Sequence, residues 1–344
     1  MKLNRPLLDE AVRRGLVGDA QADALWDFLS ERAADTPSFR FTHILYYLGG
    51  LLAIGAMTLF MTLGWERFGG WGLFFIALLY AGAGLWATEH LLYRQRLPIP
   101  AGIVAAFVVV LTPLAVYGLQ SALGWWAEGR VYRDYHTHID WRWLLMELAT
   151  LAVAAAMLWR YRLPFLVMPV AATLWYLSMD LTLFLLGDAD ITWELRKFVS
   201  LWFGLLIVLL AFWVDVRTRH AKDYAFWLYL FGVLAFWGGL SLMRSDDELS
   251  KFLYFCINLL MIVVGAILSR RVFAVFGGLG AAGYVGYLAY NVFKDSIVFP
   301  FVLTAIGFAV IWLGIVWQRR EQELTARLRG LLPVPLRELV ERRH

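Results

Sequence analysis

WGLFFIALLYAGAGLWATEHLLYRQRLPIPAGIVAAFVVVLTPLAVYGLQSA, residues Trp71 to Ala122, decides the fold. It contains two runs of about 20 apolar residues, and at about 1.5 Å of rise per residue each is long enough to cross a hydrocarbon layer about 30 Å thick. Between them lies a short turn with Arg94, Arg96, Pro98 and Pro100. Two apolar helices joined by a basic, proline-containing turn read as a transmembrane hairpin. Pro113, inside the second run, cannot donate the helical hydrogen bond and is expected to kink it.

The same pattern recurs on both sides of this stretch. Of 344 residues, 61% are hydrophobic and 17% charged, and the mean hydropathy is +0.63. That balance predicts an all-α polytopic membrane protein. Ten spans are expected, near 42–64, 72–92, 99–122, 141–159, 163–186, 197–215, 224–243, 252–269, 272–292 and 297–317. The 17 Trp, 15 Tyr and 24 Phe suit interfacial anchoring. The first 40 residues are mostly polar, so no secretory leader is expected there and the first span is expected to act as the insertion signal. The single cysteine, Cys256, allows no intrachain disulfide and no thiolate metal site.

Lys and Arg sort by side of the membrane. With the N-terminus inside, the inner segments hold 22 of the 31 basic residues. Six lie in the N-terminal region, seven in the C-terminal tail, and two or three in each inner turn. Both termini are therefore expected in the cytoplasm. The net charge of +4 follows from this sorting and is not read as nucleic-acid binding. Three regions result: a cytoplasmic helical hairpin over 1–40, a membrane bundle over 41–318 and a basic amphipathic tail over 319–344. In the hairpin, Gly15 and Gly18 break the first helix and Asp19 is placed to cap the second. It is too small to hold a large core alone, so its expected partners are the membrane domain, another membrane subunit, or a second copy in a homo-oligomer. The arginines of the tail, set beside Leu and Val and broken by Pro333 and Pro335, suit the surface of an anionic lipid bilayer.

LLDEAVRRGLVGDAQADALWDFL, from Leu7, followed by YYLGGLLAIGAMTLFMTLGWERFGGWG, from Tyr46, resembles a group of bacterial multi-span membrane proteins of unknown function. In that group a short cytoplasmic helical pair precedes a first span ending in an aromatic and acidic pair, here Trp65 and Glu66. The likeness covers roughly residues 7–92. It implies a bacterial inner membrane and supplies no activity and no catalytic residue; the sequence also names no cofactor.

Within the apolar runs, ionisable groups are the functional candidates, because each costs about 2.5 to 3.5 kcal/mol on insertion scales. Glu147 lies 15 residues before the inner turn at Arg162 and Asp180 lies 18 after it, which puts them roughly 22 and 27 Å from that turn. The two carboxylates are expected at similar depth, in the outer half of the bilayer. Tyr176 shares a helical stripe with Asp180, Lys251 and Tyr254 share one with Asn258, and Tyr284, Tyr287 and Asn291 form a third. Lipid cannot satisfy these groups, so the stripes are expected to face the bundle interior and to line a polar pocket open to the extracytoplasmic side. Close carboxylates suit a cation, a proton relay or a ligand ammonium group. Binding or transport of a small solute or cation is one function they predict. The rival is a non-transporting scaffold or accessory subunit, in which the same groups only fasten helices.

Other patterns carry less. Asp134, His136, His138 and Asp140 alternate in the longest outer loop, and an extended chain would project all four to one side, as a divalent-metal site needs. GLGAAG, Gly278 to Gly283, matches a dinucleotide-binding spacing but has no preceding soluble strand, so close helix packing explains its small residues better. His43, His90 and His220 all lie near the inner boundary, where a facing haem ligand at matching depth is not evident. No Walker sequence, nucleophile elbow or zinc-protease motif occurs. An enzymatic role therefore lacks a recognisable nucleophile.

Overall fold

A computed structural model describes residues 5–34, 41–126, 141–186, 193–217, 223–243, 247–268, 270–292 and scattered positions between 300 and 315. Among the described residues the secondary structure is helical, with no strand. The elements are α1 (Arg5–Arg13), α2 (Asp19–Ala34), α3 (Phe41–Glu89), α4 (Pro98–Val110), α5 (Thr112–Ala122), α6 (Trp141–Tyr161), α7 (Val167–Leu186), α8 (Trp193–Arg217), α9 (Ala225–Leu242), α10 (Glu248–Leu268) and α11 (Arg271–Tyr287). Seven helical stretches are long and apolar enough to cross a membrane: Phe68–Arg94, Pro98–Ala122, Trp141–Tyr161, Glu194–Arg217, Ala225–Leu242, Glu248–Leu268 and Arg271–Tyr290. The chain is a multi-pass helical membrane protein. Of the other three expected spans, the first falls in the first half of α3, which includes the apolar stretch Ile44–Met57, and the fifth corresponds to α7. The last lies mostly outside the described residues.

The surface supports a lipid solvent. Along α8, Phe198, Trp202, Leu206, Leu209 and Trp213 are all exposed, and their spacing of three or four places them on one helix face. A soluble protein turns such a stripe inward; here it is the outer coat.

The chain forms two compact units, residues 1–173 with 220–224, and residues 174–219 with 225–344. In the first unit α3 is two helices run together at Gly69, whose φ of 63° is left-handed and non-helical. Glycine reaches that conformation without a Cβ penalty. Successive contacts show that the chain reverses there. A Cβ at Gly50 would run into Ile103, one at Gly70 into the backbone of Gly118 and Ala122, and one at Gly84 into Val108. The first half of α3 thus ascends along α4 and α5 and the second half descends, which is the hairpin expected from spans one and two. α4 and α5 make one span broken at Leu111. Pro113 removes the donor that Val109 would otherwise use, and the break falls where the sequence places it. This span lies at the centre of its unit, with Ala101, Ala105 and Val109 buried against Ala154, Leu163 and Leu166, and Leu111, Leu114 and Tyr117 against Leu73, Ala77 and Met146.

In the second unit, glycines set two tight helix pairs. A Cβ at Gly204 would meet Gly232 O and Phe236, and one at Gly239 would meet Lys197 O at 2.7 Å and Leu201 N at 2.8 Å. α8 and α9 are therefore in backbone contact along their length, as small residues permit in lipid. Gly277 does the same for α11 against Asn258 O of α10, at 2.5 Å. Edge-on aromatic contacts join α9 to α11, with Tyr229 and Phe273 ring centroids 5.5 Å apart.

Candidate polar site

Asn258 sits at the middle of the second unit's polar groups. It lies on α10, fully buried, and its side-chain Nδ2 donates to Tyr254 O, one turn back on its own helix, at 2.8 Å. Its Oδ1 accepts from the Trp237 indole N–H of α9 at 3.1 Å. Gly280 of α11 faces the amide so closely that a Cβ there would overlap it. The glycine-rich GLGAAG segment thus makes room for a buried amide. One turn outward, the Tyr254 hydroxyl and Ser241 Oγ of α9 lie 2.9 Å apart.

At the start of α10, Lys251 Nζ donates to Glu248 Oε1 at 2.7 Å and to the Tyr287 hydroxyl of α11 at 2.6 Å. The Tyr287 hydroxyl donates in turn to Glu248 Oε1 at 2.8 Å, and the ammonium lies 4.5 Å from the Tyr287 ring centroid. Phe255 stacks on Tyr284 with centroids 5.0 Å apart. Tyr254, Asn258 and Tyr287, three of the expected site residues, therefore take part in polar contacts that join α10 to α9 and to α11. Tyr176 is exposed and packs its ring against Trp175. Trp175 N–H donates to Ser200 Oγ at 3.0 Å, and Ser200 donates to Ala235 O at 3.0 Å. Lys197 is buried on α8, pairs with Glu194 and donates to Leu242 O of α9 at 2.9 Å. Asp180 is half-buried on α7. Asn291 lies in a π-helical turn, Leu288–Val292, at the end of α11.

Glu147 belongs to the first unit and Asp180 to the second. On α6, Glu147 is half-buried, one turn from Trp143 and close to an aromatic cluster at the α5–α6 end. There Gln120 is buried; it accepts from the Trp126 indole N–H at 3.1 Å and donates to Arg142 O at 3.2 Å. The Arg142 guanidinium donates to Trp125 O and lies 4.5 Å from the Trp126 ring centroid.

Asp134, His136, His138 and Asp140 lie outside the described residues. Among the described residues, no cluster of three or more His, Cys, Asp or Glu side chains could hold a metal ion.

One pair escapes the reading of apolar runs. Arg270, in the turn between α10 and α11, forms a two-point ion pair with Asp215 near the end of α8. Nη2 to Oδ1 is 2.7 Å and Nε to Oδ2 is 3.3 Å. The side chains are only 8% and 10% exposed, and the guanidinium carbon lies 5.1 Å from the Tyr229 ring centroid. Counting Arg270 as an inner-turn charge hides this role. The available signal is Asp215, an acid near the end of a long apolar run, at the same end of its span as Arg270.

Compared with known protein families, curated proteins and solved structures, the chain matches none.

Proposed function

We propose that this chain is a bacterial inner-membrane protein of about ten spans, with both termini cytoplasmic, that serves as a non-transporting scaffold or accessory subunit. The span number rests on the sequence periodicity, the sidedness on the inward excess of Lys and Arg, and the membrane on the likeness of residues 7–92 to bacterial multi-span proteins. The role rests on one observation: Asn258, the most deeply buried of the groups in these polar contacts, spends its amide on the neighbouring helix and on its own backbone. A side chain committed in this way fastens helices and has little left for a solute.

A second reading has its own support. Glu147 and Asp180 are half-buried carboxylates within apolar helices, a costly placement that suits a small solute or cation entering from the extracytoplasmic side. Replacement of Asp180 separates the two. As a scaffold, the Asp180→Asn chain, recovered from the membranes of its source, loses thermal stability or a stoichiometric partner and shows no change in flux. Loss of cation or solute flux in reconstituted vesicles, with melting and assembly unchanged, would replace the scaffold reading with the second one.

A further inference from the structure

One end of the first unit carries a cluster with no part in the polar contacts described above. The turn after α3 holds Arg94 and Arg96, and the end of α6 holds Arg160 and Arg162; all four are exposed. The two turns are neighbours. Arg160 donates to the Tyr93 hydroxyl at 2.7 Å, and Leu91 and Leu92 pack with Leu163. Two acids lie nearby: Glu89, 3.5 Å from Arg160 and accepting from the Tyr161 hydroxyl at 3.3 Å, and Asp223, next to Tyr224, whose hydroxyl donates to Arg162 O at 2.6 Å. Arg94, Arg96 and Arg162 make no side-chain contact of this kind among the described residues, so the cluster presents a net positive face.

Three further features define the occupant. Trp159 is 80% exposed and Trp86 70% exposed, and with Tyr93 they border the arginines where three membrane-length helices begin or end, at Arg94, Pro98 and Tyr161. Indole and phenol rings at that level belong to the head-group region of a bilayer. Arg96 and Arg162 hold left-handed backbone, at φ 55° and 51°, where Gly or Asn is the less strained residue. Both turns carry arginine there despite that cost. A guanidinium engages a phosphate through two parallel N–H donors, and anionic lipid attracts such groups from within a few ångströms. We propose that Arg94, Arg96 and Arg162, held at the membrane boundary by the Arg160–Tyr93–Glu89 brace, form a binding site for the phosphodiester head group of an anionic phospholipid of the surrounding bilayer.

The full-length chain, purified in detergent, is offered phosphatidylglycerol and phosphatidylcholine of identical acyl chains, and retained lipid is counted by native mass spectrometry. The wild type retains the anionic lipid preferentially, and the variant Arg94→Gln/Arg96→Gln/Arg162→Gln loses that preference by at least about fivefold, the effect of one arginine near an anionic surface. Arg94→Lys/Arg96→Lys/Arg162→Lys keeps most of it. If the Gln variant fails to fold, Arg96→Gly/Arg162→Gly removes two charges while relaxing the left-handed backbone, and the same loss is expected. Equal retention of both lipids by the wild type, or an unchanged preference in the charge-removing variants, overturns the site. So does displacement of the lipid by millimolar inorganic phosphate, which would make the ligand a free anion.

Discussion

In the first unit, two buried hydroxyls satisfy themselves. Thr88 donates back to Gly84 O at 2.8 Å and Thr150 to Met146 O at 2.7 Å, each one turn earlier on its own helix. In the second unit Ser178 likewise bonds its own helix, at Trp175 O, but the other buried polar groups reach across. Ser200 bonds Ala235 O, Lys197 bonds Leu242 O, Asn258 holds Trp237 and Arg270 holds Asp215. Both units face the same difficulty, since lipid offers no hydrophobic gain for bringing helices together. The first meets it mainly with a bent central span buried in apolar side chains on several sides, where dispersion contacts are dense, and adds the tie from buried Gln120 of α5 to Arg142 O of α6. The second brings helices together at glycines, as the first does at Gly70 and Gly118, and relies on more polar ties between them. Polar deletions are therefore expected to cost the second unit more than the first.

The largest effect belongs to the ion pair. Arg270→Met leaves Asp215 buried without its guanidinium partner, and removing one member of a buried pair costs about 3 to 5 kcal/mol. The loss is expected in reversible unfolding of the full chain in bicelles, with faster hydrogen exchange in α8 and α11 and none in α4. Asp215→Leu combined with Arg270→Met removes both charges and recovers most of the stability, since apolar residues of similar volume commonly replace such a pair without penalty. If the double variant is no better than the single, the pair does more than balance charge.

How far the sequence foretold this contrast depends on the length scale of each signal. Span positions were legible because a run of about 20 apolar residues is a long, redundant pattern. The break at Pro113 was legible because one missing donor has a local effect. Helical spacing also grouped Lys251, Tyr254 and Asn258 on one face of α10. Their partners were not legible. That Asn258 meets Trp237, or that Gly280 clears space for it, depends on the register between helices, which no period within one helix encodes. The reversal at Gly69 was expected only as a loop near residues 65–71, and the structure concentrates it in one residue with positive φ. Arg270 read as a topology signal because a charge in a short turn has the same composition whether it faces water or an acid.

Asn258 gives the intermediate effect. Asn258→Ala strips the acceptor from the Trp237 indole and is expected to cost about 1 kcal/mol, within the range of up to about 1.7 measured for interhelical hydrogen bonds in membranes. Gly280→Ala alone collides with the amide and destabilises by overpacking. Together the two substitutions are expected to cost less than their sum, because the smaller side chain frees the space that the new methyl group fills. A double-mutant cycle on unfolding free energies reads this coupling directly. Additivity would mean that α10 and α11 separate easily at this point, and the idea of a register set by Asn258 would fall.

The smallest effect tests the other side of the comparison. Thr150 is buried on α6, and its hydroxyl bonds a carbonyl that the helix already supplies with the Thr150 backbone N–H. Thr150→Val keeps the shape of the side chain and removes only this second donor, so Met146 O stays satisfied. The hydroxyl leaves no orphaned partner behind, and its removal from an apolar site offsets the lost bond. The expected change in unfolding free energy lies within about 0.5 kcal/mol of zero, of either sign. A cost as large as that of Asn258→Ala would mean that the Thr150 hydroxyl also ties α6 to a neighbouring helix, and the first unit would then depend on polar ties beyond the one made by Gln120.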